Sequence, residues 1–213
     1  MNFMYGKKEM DYLKSRDRRL GEVIDRIGRI RWSVEPNLFS AIVQNIVSQQ
    51  ISGKAAESIL ARVVKALGEI APETVAKTDV EAFRACGVSQ RKAEYIKDFA
   101  AKVVSGELDL DAVANMPDAE VIAALSSLRG IGVWTAEMLL LFTLQRSDIL
   151  SYGDLGIHRG MRMVYRHRKI TKALFEKYRR RLSPCGSVAS LYFWMVAGNA
   201  IPDLTDPADG KRK

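Results

Sequence analysis

The chain has 213 residues, 47% hydrophobic and 27% charged, enough for one compact domain or two small lobes, each with a core. Two cysteines (Cys86, Cys185) and two histidines (His158, His167) exclude a disulfide framework and a zinc site of recognisable spacing. The net charge of +8 suits a polyanionic partner, although basic proteins without one are common. No apolar run reaches the roughly 18 residues that span a membrane. Met1 to Lys14 lacks the apolar centre of a signal peptide, so an intracellular, reducing compartment is expected (cytoplasm and nucleoid, or a nucleus).

Leu13, Leu20, Val23, Ile24 and Ile27 fall on one face of a first helix that Gly28 ends. Pro36-Asn37 opens a second, with Phe39, Ile42, Val43, Ile46 and Val47 apolar, and Ser52-Gly53 breaks it. A third spans Lys54–Leu67, with Gly68 as its C-cap. After a turn at Gly87-Val88-Ser89, a helix over Gln90–Val104 starts from Ser89 as N-cap. Pro117-Asp118 starts the next, which carries Val121, Ile122, Leu125 and Leu128 and stops at Arg129-Gly130-Ile131-Gly132. A strongly apolar helix follows over Val133–Leu144. Then come a basic helical stretch, a break at Ser183-Pro184, a last helix over Ser187–Ala197, and a loose tail from Asp203 to Lys213. No run alternates as a strand does, and the predicted fold class is all-α.

The stretch from Leu128 to Gly132 lies between two of these helices. Gly130 and Gly132 can take positive φ and carry no Cβ to block an approaching backbone. The amides of Ile131, Gly132 and Val133 then stand at the positive end of the following helix, where a phosphate can be held. Ile131 pins the turn to the core. By itself a helix–Gly-x-Gly–helix pattern reads equally as a tight turn between helices. One helix further on, Asp154 alone reads as the N-cap of a helix starting at Leu155, and Asp148 as a structural cap.

In register, Leu128-Arg129-Gly130-Ile131-Gly132-Val133-Trp134-Thr135-Ala136 and Asp154-Leu155-Gly156 resemble the signature of the helix-hairpin-helix (HhH-GPD) DNA glycosylases. Within that superfamily the chain resembles the 3-methyladenine DNA glycosylase II-like branch in its short form. The resemblance runs from about Asn37 to Gly198 and takes in Ile46–Ser52, Gly87–Ala93 and Ser187–Trp194. It implies a two-lobed helical fold with the active cleft between the lobes. Residues 1–36 would be an N-terminal helix packing with the C-terminal lobe, 37–147 a central lobe ending in the hairpin, and 148–213 the C-terminal lobe. The mixed α/β amino-terminal domain of longer relatives is not expected.

The implied activity is base excision repair. A monofunctional glycosylase would flip an alkylated purine, such as 3-methyladenine or 7-methylguanine, out of duplex DNA and hydrolyse its N-glycosidic bond. Asp154 is the implied catalytic carboxylate, either stabilising the oxocarbenium-like transition state or activating water. Trp134 stands where bifunctional relatives carry the lyase lysine, so AP lyase activity is not expected. No cofactor is required, and the four-cysteine iron–sulfur cluster of endonuclease-type members is absent.

By the same resemblance Trp134, Trp194 and Met138 line the base pocket, core packing being the competing reading for both tryptophans, and Met138 replaces a tyrosine of relatives. Gln49, Gln50 and Ile51 hold the place of the wedge that fills the gap left by a flipped base, Gln50 first. Arg129, Gly130, Ile131, Gly132 and Thr135 are the DNA contacts of the hairpin, and Arg91 and Lys92 a second backbone anchor. Arg159 begins a basic run through Arg162, Arg166, Arg168, Lys169, Lys172, Lys177 and Arg179 to Arg181 that reads either as phosphate contacts or as a solvated face. Backbone carbonyls of Ser126, Leu128 and Ile131 are the implied ligands of a monovalent cation, Na+ or K+. Leu182–Gly186 departs from the Trp-x-Pro-Tyr-Arg of relatives, so that turn is assigned no DNA contact. The expected partner is double-stranded DNA with damaged bases; no membrane is expected, and a monomer keeps the basic face open. A glycosylase for deaminated or oxidised purines and a non-catalytic helix-hairpin-helix DNA-binding module remain the alternatives.

Overall fold

The computed structural model describes residues 1–209; among them there are thirteen α-helices and no strand, as the all-α reading requires. Residues 210–213, the end of the expected tail, lie outside the described residues. The first expected helix is two, α1 (Lys7–Arg16) and α2 (Arg18–Ile27). Asp17 between them is extended, and its carboxylate caps α2 by accepting from the Leu20 amide at 3.0 Å. The apolar period runs straight through this break because a capped corner displaces only one residue. Gly28, at φ +71°, ends α2 as predicted.

Asn37 caps α3 (Leu38–Ser48), and Ser52 caps α4 (Gly53–Leu67), which closes at Gly68. Two six-residue helices follow, α5 (Pro72–Lys77) and α6 (Val80–Ala85), then α7 (Gln90–Val104) from Ser89, and a third short one, α8 (Leu110–Asn115). The short three were not foreseen, since six residues are too few to display a 3.6-residue period. Next come α9 (Asp118–Ser126) and α10 (Val133–Phe142), the two arms of the hairpin. The basic stretch resolves into α11 (Leu155–Tyr165) and α12 (Lys172–Leu182), parted where Arg166 turns left-handed, and α13 (Gly186–Ala197) closes the series.

The described chain forms two compact units, Glu35–Leu144 and a second made of Met1–Val34 with the chain from Gln145 onward. In the Glu35–Leu144 unit, Phe39 and Phe99 stack at 4.9 Å among buried Ile42, Ile46, Phe83, Ile96 and Leu125. Burying side chains of this size contributes about 1.5–3 kcal/mol each before entropy is set against it. In the other unit α11 crosses α13 at Gly160, where an added Cβ would lie 2.2 Å from the Phe193 carbonyl oxygen. Asp148 ties the start of α13 down: Oδ1 accepts from the Gly186 amide at 3.0 Å and Oδ2 from the Ser183 hydroxyl at 2.6 Å. Cys86 and Cys185 are both reduced and buried, and burial pushes the Cys185 thiol above its ordinary pKa, with Glu9 and Asp148 adding to it. No helix of the described residues is long and apolar enough to cross a membrane.

The segment Asp203–Asp209 is not the loose tail expected. Asp203 pairs with Arg26, the Arg166 guanidinium donates to the Thr205 carbonyl at 2.9 Å, and Arg162 grips buried Asp206 at 2.5 and 2.9 Å. Arg26, Arg162 and Arg166 sit far away in sequence, so nothing local announced the pairing. The Arg162 hydrogen bonds hold the Asp206 carboxyl below its ordinary pKa. The stability this pair contributes is fully present above the unfolded carboxylate value of about 3.9 and is lost as pH falls through the lower folded value. Asp206→Asn should therefore lower the melting temperature at neutral pH and flatten its acid limb in a pH series; an unchanged acid limb would mean that other carboxylates govern it.

Candidate functional site

Asp154 is only 6% exposed and stands at the N-terminus of α11. Its Oδ1 accepts from the Ile157 amide at 2.7 Å, so the simple cap reading of this residue holds. The same oxygen accepts from the indole Nε1–H of Trp194 at 2.9 Å, a second donor that a cap does not need. Gly156 makes room for this arrangement, since a Cβ there would lie 2.8 Å from Trp194 Cδ1 and 3.1 Å from Asp154 Oδ1. Thus a carboxylate is set in one orientation by a helix end and an indole.

Trp32, which the sequence did not single out, lies with its ring 5.9 Å from that of Trp194, tilted by 39°. Its backbone is pinned, because the Phe3 amide donates to the Trp32 carbonyl and the Tyr5 hydroxyl bonds both the amide and the carbonyl of Ile30. No local signal marks Trp32; only folding brings it to Trp194. Leu155, next to Asp154, is 85% exposed, and Tyr152 on the other side sets its ring against His158 and Phe175. Arg159, expected on DNA, is half-exposed and stands 3.9 Å from both Asp206 and Asp209. Arg181, at the far end of the basic run, is engaged with buried Asp17 at 2.8 Å. The run is thus partly an internal charge network and partly a solvated face, with Arg168, Lys169, Lys172, Lys177, Arg179 and Arg180 exposed.

The hairpin lies in the other unit. Of the two glycines free to take positive φ, Gly130 does so, at +88°, while Gly132 is an extended N-cap at φ −96°. Gly130 is also required by space, as a Cβ would lie 2.5 Å from Cδ2 of Tyr95. Ile131 is buried as predicted, and its amide closes the turn on the Leu128 carbonyl at 3.1 Å. Val133 and Trp134 are exposed on the first turn of α10, Trp134 by 49%. Thr135 and Met138 turn inward and are buried.

Of the wedge candidates, Gln49 is held, its side-chain amide donating to the Gly130 carbonyl at 2.7 Å. Gln50 is exposed at φ +57°, a left-handed conformation unusual for a residue with a side chain, and Ile51 beside it is exposed as well. Lys92, read as a backbone anchor, turns its ammonium onto the protein itself. Its ammonium donates to the carbonyls of Val47 at 2.8 Å and Gln49 at 2.6 Å, closing the C-terminal end of α3, and burial lowers its pKa. Arg91 is exposed, with its guanidinium on Tyr95, and Arg129 meets the same ring.

Known proteins share this arrangement of helices around a glycine hairpin. The chain belongs to the HhH-GPD superfamily of base excision DNA repair proteins, whose family pattern matches residues 43–185. It is 34% identical over 179 residues to DNA-3-methyladenine glycosylase 1 of Schizosaccharomyces pombe, covering 82% of this chain and 78% of that one. It spans 58% and 66% of the length of two further curated relatives, from Bacillus subtilis and Saccharomyces cerevisiae. A solved DNA-3-methyladenine glycosidase from Bacillus halodurans superposes with a TM-score of 0.84 at 36% identity, covering 95% of both chains. The Schizosaccharomyces pombe 3-methyladenine DNA glycosylase Mag1, solved in complex with abasic DNA, gives 0.78 at 29% identity, covering 91% of this chain and 98% of that one.

Proposed function

We propose that this chain is a DNA glycosylase of base excision repair that releases alkylated purines of the 3-methyladenine and 7-methylguanine type from duplex DNA. The observation that carries this reading is the Asp154 carboxylate, oriented jointly by the Ile157 amide and the Trp194 indole. Relatives named for 3-methyladenine release support the lesion class. As the N-glycosidic bond breaks, positive charge grows on the sugar at C1′, and a fixed anion stabilises that charge more in the transition state than in the ground state. Alternatively the carboxylate orients and deprotonates the attacking water. An alkylated purine leaves readily because it already carries positive charge, and the Trp194 ring beside Asp154 offers it a face with cation–π attraction of about 1–2 kcal/mol when desolvated.

Release is monofunctional, because Trp134 holds the position at which a lyase needs a lysine amine. Water is then the nucleophile, and the product is an abasic site in an unbroken strand. Gln50 and Ile51, exposed beside the anchored Gln49, fill the gap in the duplex. The carbonyls of Ser126, Leu128 and Ile131 lie in or beside one turn, and neutral oxygens suit a hard monovalent ion such as Na+ or K+. When bound, the ion supplies positive charge toward a phosphate. The enzyme works inside the cell as a monomer with its cationic faces open to DNA.

The test is incubation of the chain with methylated duplex DNA. Free 3-methyladenine or 7-methylguanine should appear, the strand should stay intact, and borohydride should trap no adduct. Release of hypoxanthine or oxidised purine alone would transfer the activity to another lesion class. DNA binding without release of any base would leave a binding module. Strand cleavage with a trapped adduct would refute the monofunctional reading.

A further inference from the structure

We propose that Tyr95 is a positioning residue that holds Arg91 and Arg129 as a two-armed clamp for a DNA phosphate beside the hairpin. The inference rests on the reading above, in which the hairpin unit grips duplex DNA. Three elements meet at this ring. Arg91 comes from the first turn of α7, Tyr95 from one turn later, and Arg129 from the turn between α9 and α10. The Arg129 guanidinium carbon lies 4.9 Å from the ring centroid and that of Arg91 5.5 Å, and Arg91 Nε also donates to the Tyr95 hydroxyl.

The ring is itself fixed against the hairpin. Its Cδ2 and Cε2 edge fills the space where residue 130 would carry a Cβ, which Gly130 alone leaves open. Gln49 then holds the Gly130 carbonyl from the other direction. Tyr95 is therefore registered to the backbone that carries the amides of Ile131, Gly132 and Val133, and the two guanidinium groups inherit that register.

Two like charges on one aromatic ring repel each other, and among the described residues no carboxylate pairs with either Arg91 or Arg129. Glu94, the acidic neighbour on the same helix, accepts from Gln90 at 2.7 Å. A pair of exposed arginines brought together without a counter-ion is built to receive one. The planar donors of arginine match the oxygens of a phosphodiester. The clamp sits beside a helix N-terminus that favours the same charge, which separates it from a solvated basic face.

The experiment is binding of the full chain to an abasic duplex, followed by fluorescence anisotropy across a salt series, with a thermal melt of each variant. Tyr95→Leu should weaken binding about tenfold at moderate salt and reduce the slope of log Kd against log salt by about one phosphate contact, ~0.9. Arg129→Gln should do the same, and the double variant should add little, because the ring acts through the arginine. Tyr95→Phe, which keeps the ring and loses the hydroxyl that Arg91 uses, should fall between wild type and Tyr95→Leu. A wild-type salt slope in Tyr95→Leu, whatever its melting temperature, overturns the inference, as does a fully additive double variant. A wild-type chain that fails to bind the duplex at all overturns the inference and the proposed function together.

Discussion

Asp154→Asn should bind an abasic duplex as tightly as the wild type and release methylated purine at least about a thousandfold more slowly. The substitution isolates charge. Oδ1 of asparagine can accept from both the Ile157 amide and the Trp194 indole, as Oδ1 of the aspartate does at 2.7 and 2.9 Å. Asparagine is also as good an N-cap as aspartate, so α11 should start where it does now. What disappears is the negative charge that the sugar cation would face. A thousandfold loss corresponds to about 4 kcal/mol of transition-state stabilisation, a reasonable share for one preorganised anion in a buried site. Single-turnover base release, with a melting curve for each protein, reads this directly. Wild-type release by Asp154→Asn would remove the residue from the chemistry and leave it a cap.

Gly160→Ala should destabilise the protein by about 3 kcal/mol or more, lowering the melting temperature by roughly 10 °C. The new methyl would sit 2.2 Å from the Phe193 carbonyl oxygen and 2.7 Å from the Phe193 Cα, both backbone atoms of α13. Neither can step aside as a flexible side chain can, so α11 and α13 must separate. Asp154 opens α11 and Trp194 follows Phe193 on α13, so the same displacement breaks the bond between them and activity falls with stability. Gly53→Ala is the control. Nothing lies within 4 Å of a Cβ there, on the first residue of α4, and alanine in a helix should leave stability equal or slightly raised. Equal melting temperatures for the two variants would show that the helices can part without loss.

The long helices were legible because their caps are local. Asn37, Ser52 and Ser89 each bond an amide three residues on, so a short window of sequence holds both donor and acceptor. The hairpin was legible for the same reason, down to the burial of Ile131. Partners from distant parts of the chain were not. Lys92 looks like a backbone anchor for DNA until α3 supplies two carbonyls to its ammonium. Trp32 and Tyr95 carry no motif at all; each matters through a ring or a glycine far away in sequence. The segment from Asp203 reads as a loose tail because the arginines that hold it lie on α2 and α11. Local hydrogen-bond chemistry places the elements, and nonlocal pairing decides which charges remain available for a ligand.

The two buried cysteines have a bearing on where such an enzyme must work. Agents that methylate ring nitrogens of purines are electrophiles, and the protein groups most open to them are thiolates at accessible sites. Here Cys86 is enclosed, and Cys185 is enclosed with its thiol held further toward the protonated form by burial, Glu9 and Asp148. A chain so made keeps both thiols away from the damaging agent during the exposure that creates its substrate, and it should retain them through doses that consume an exposed cysteine.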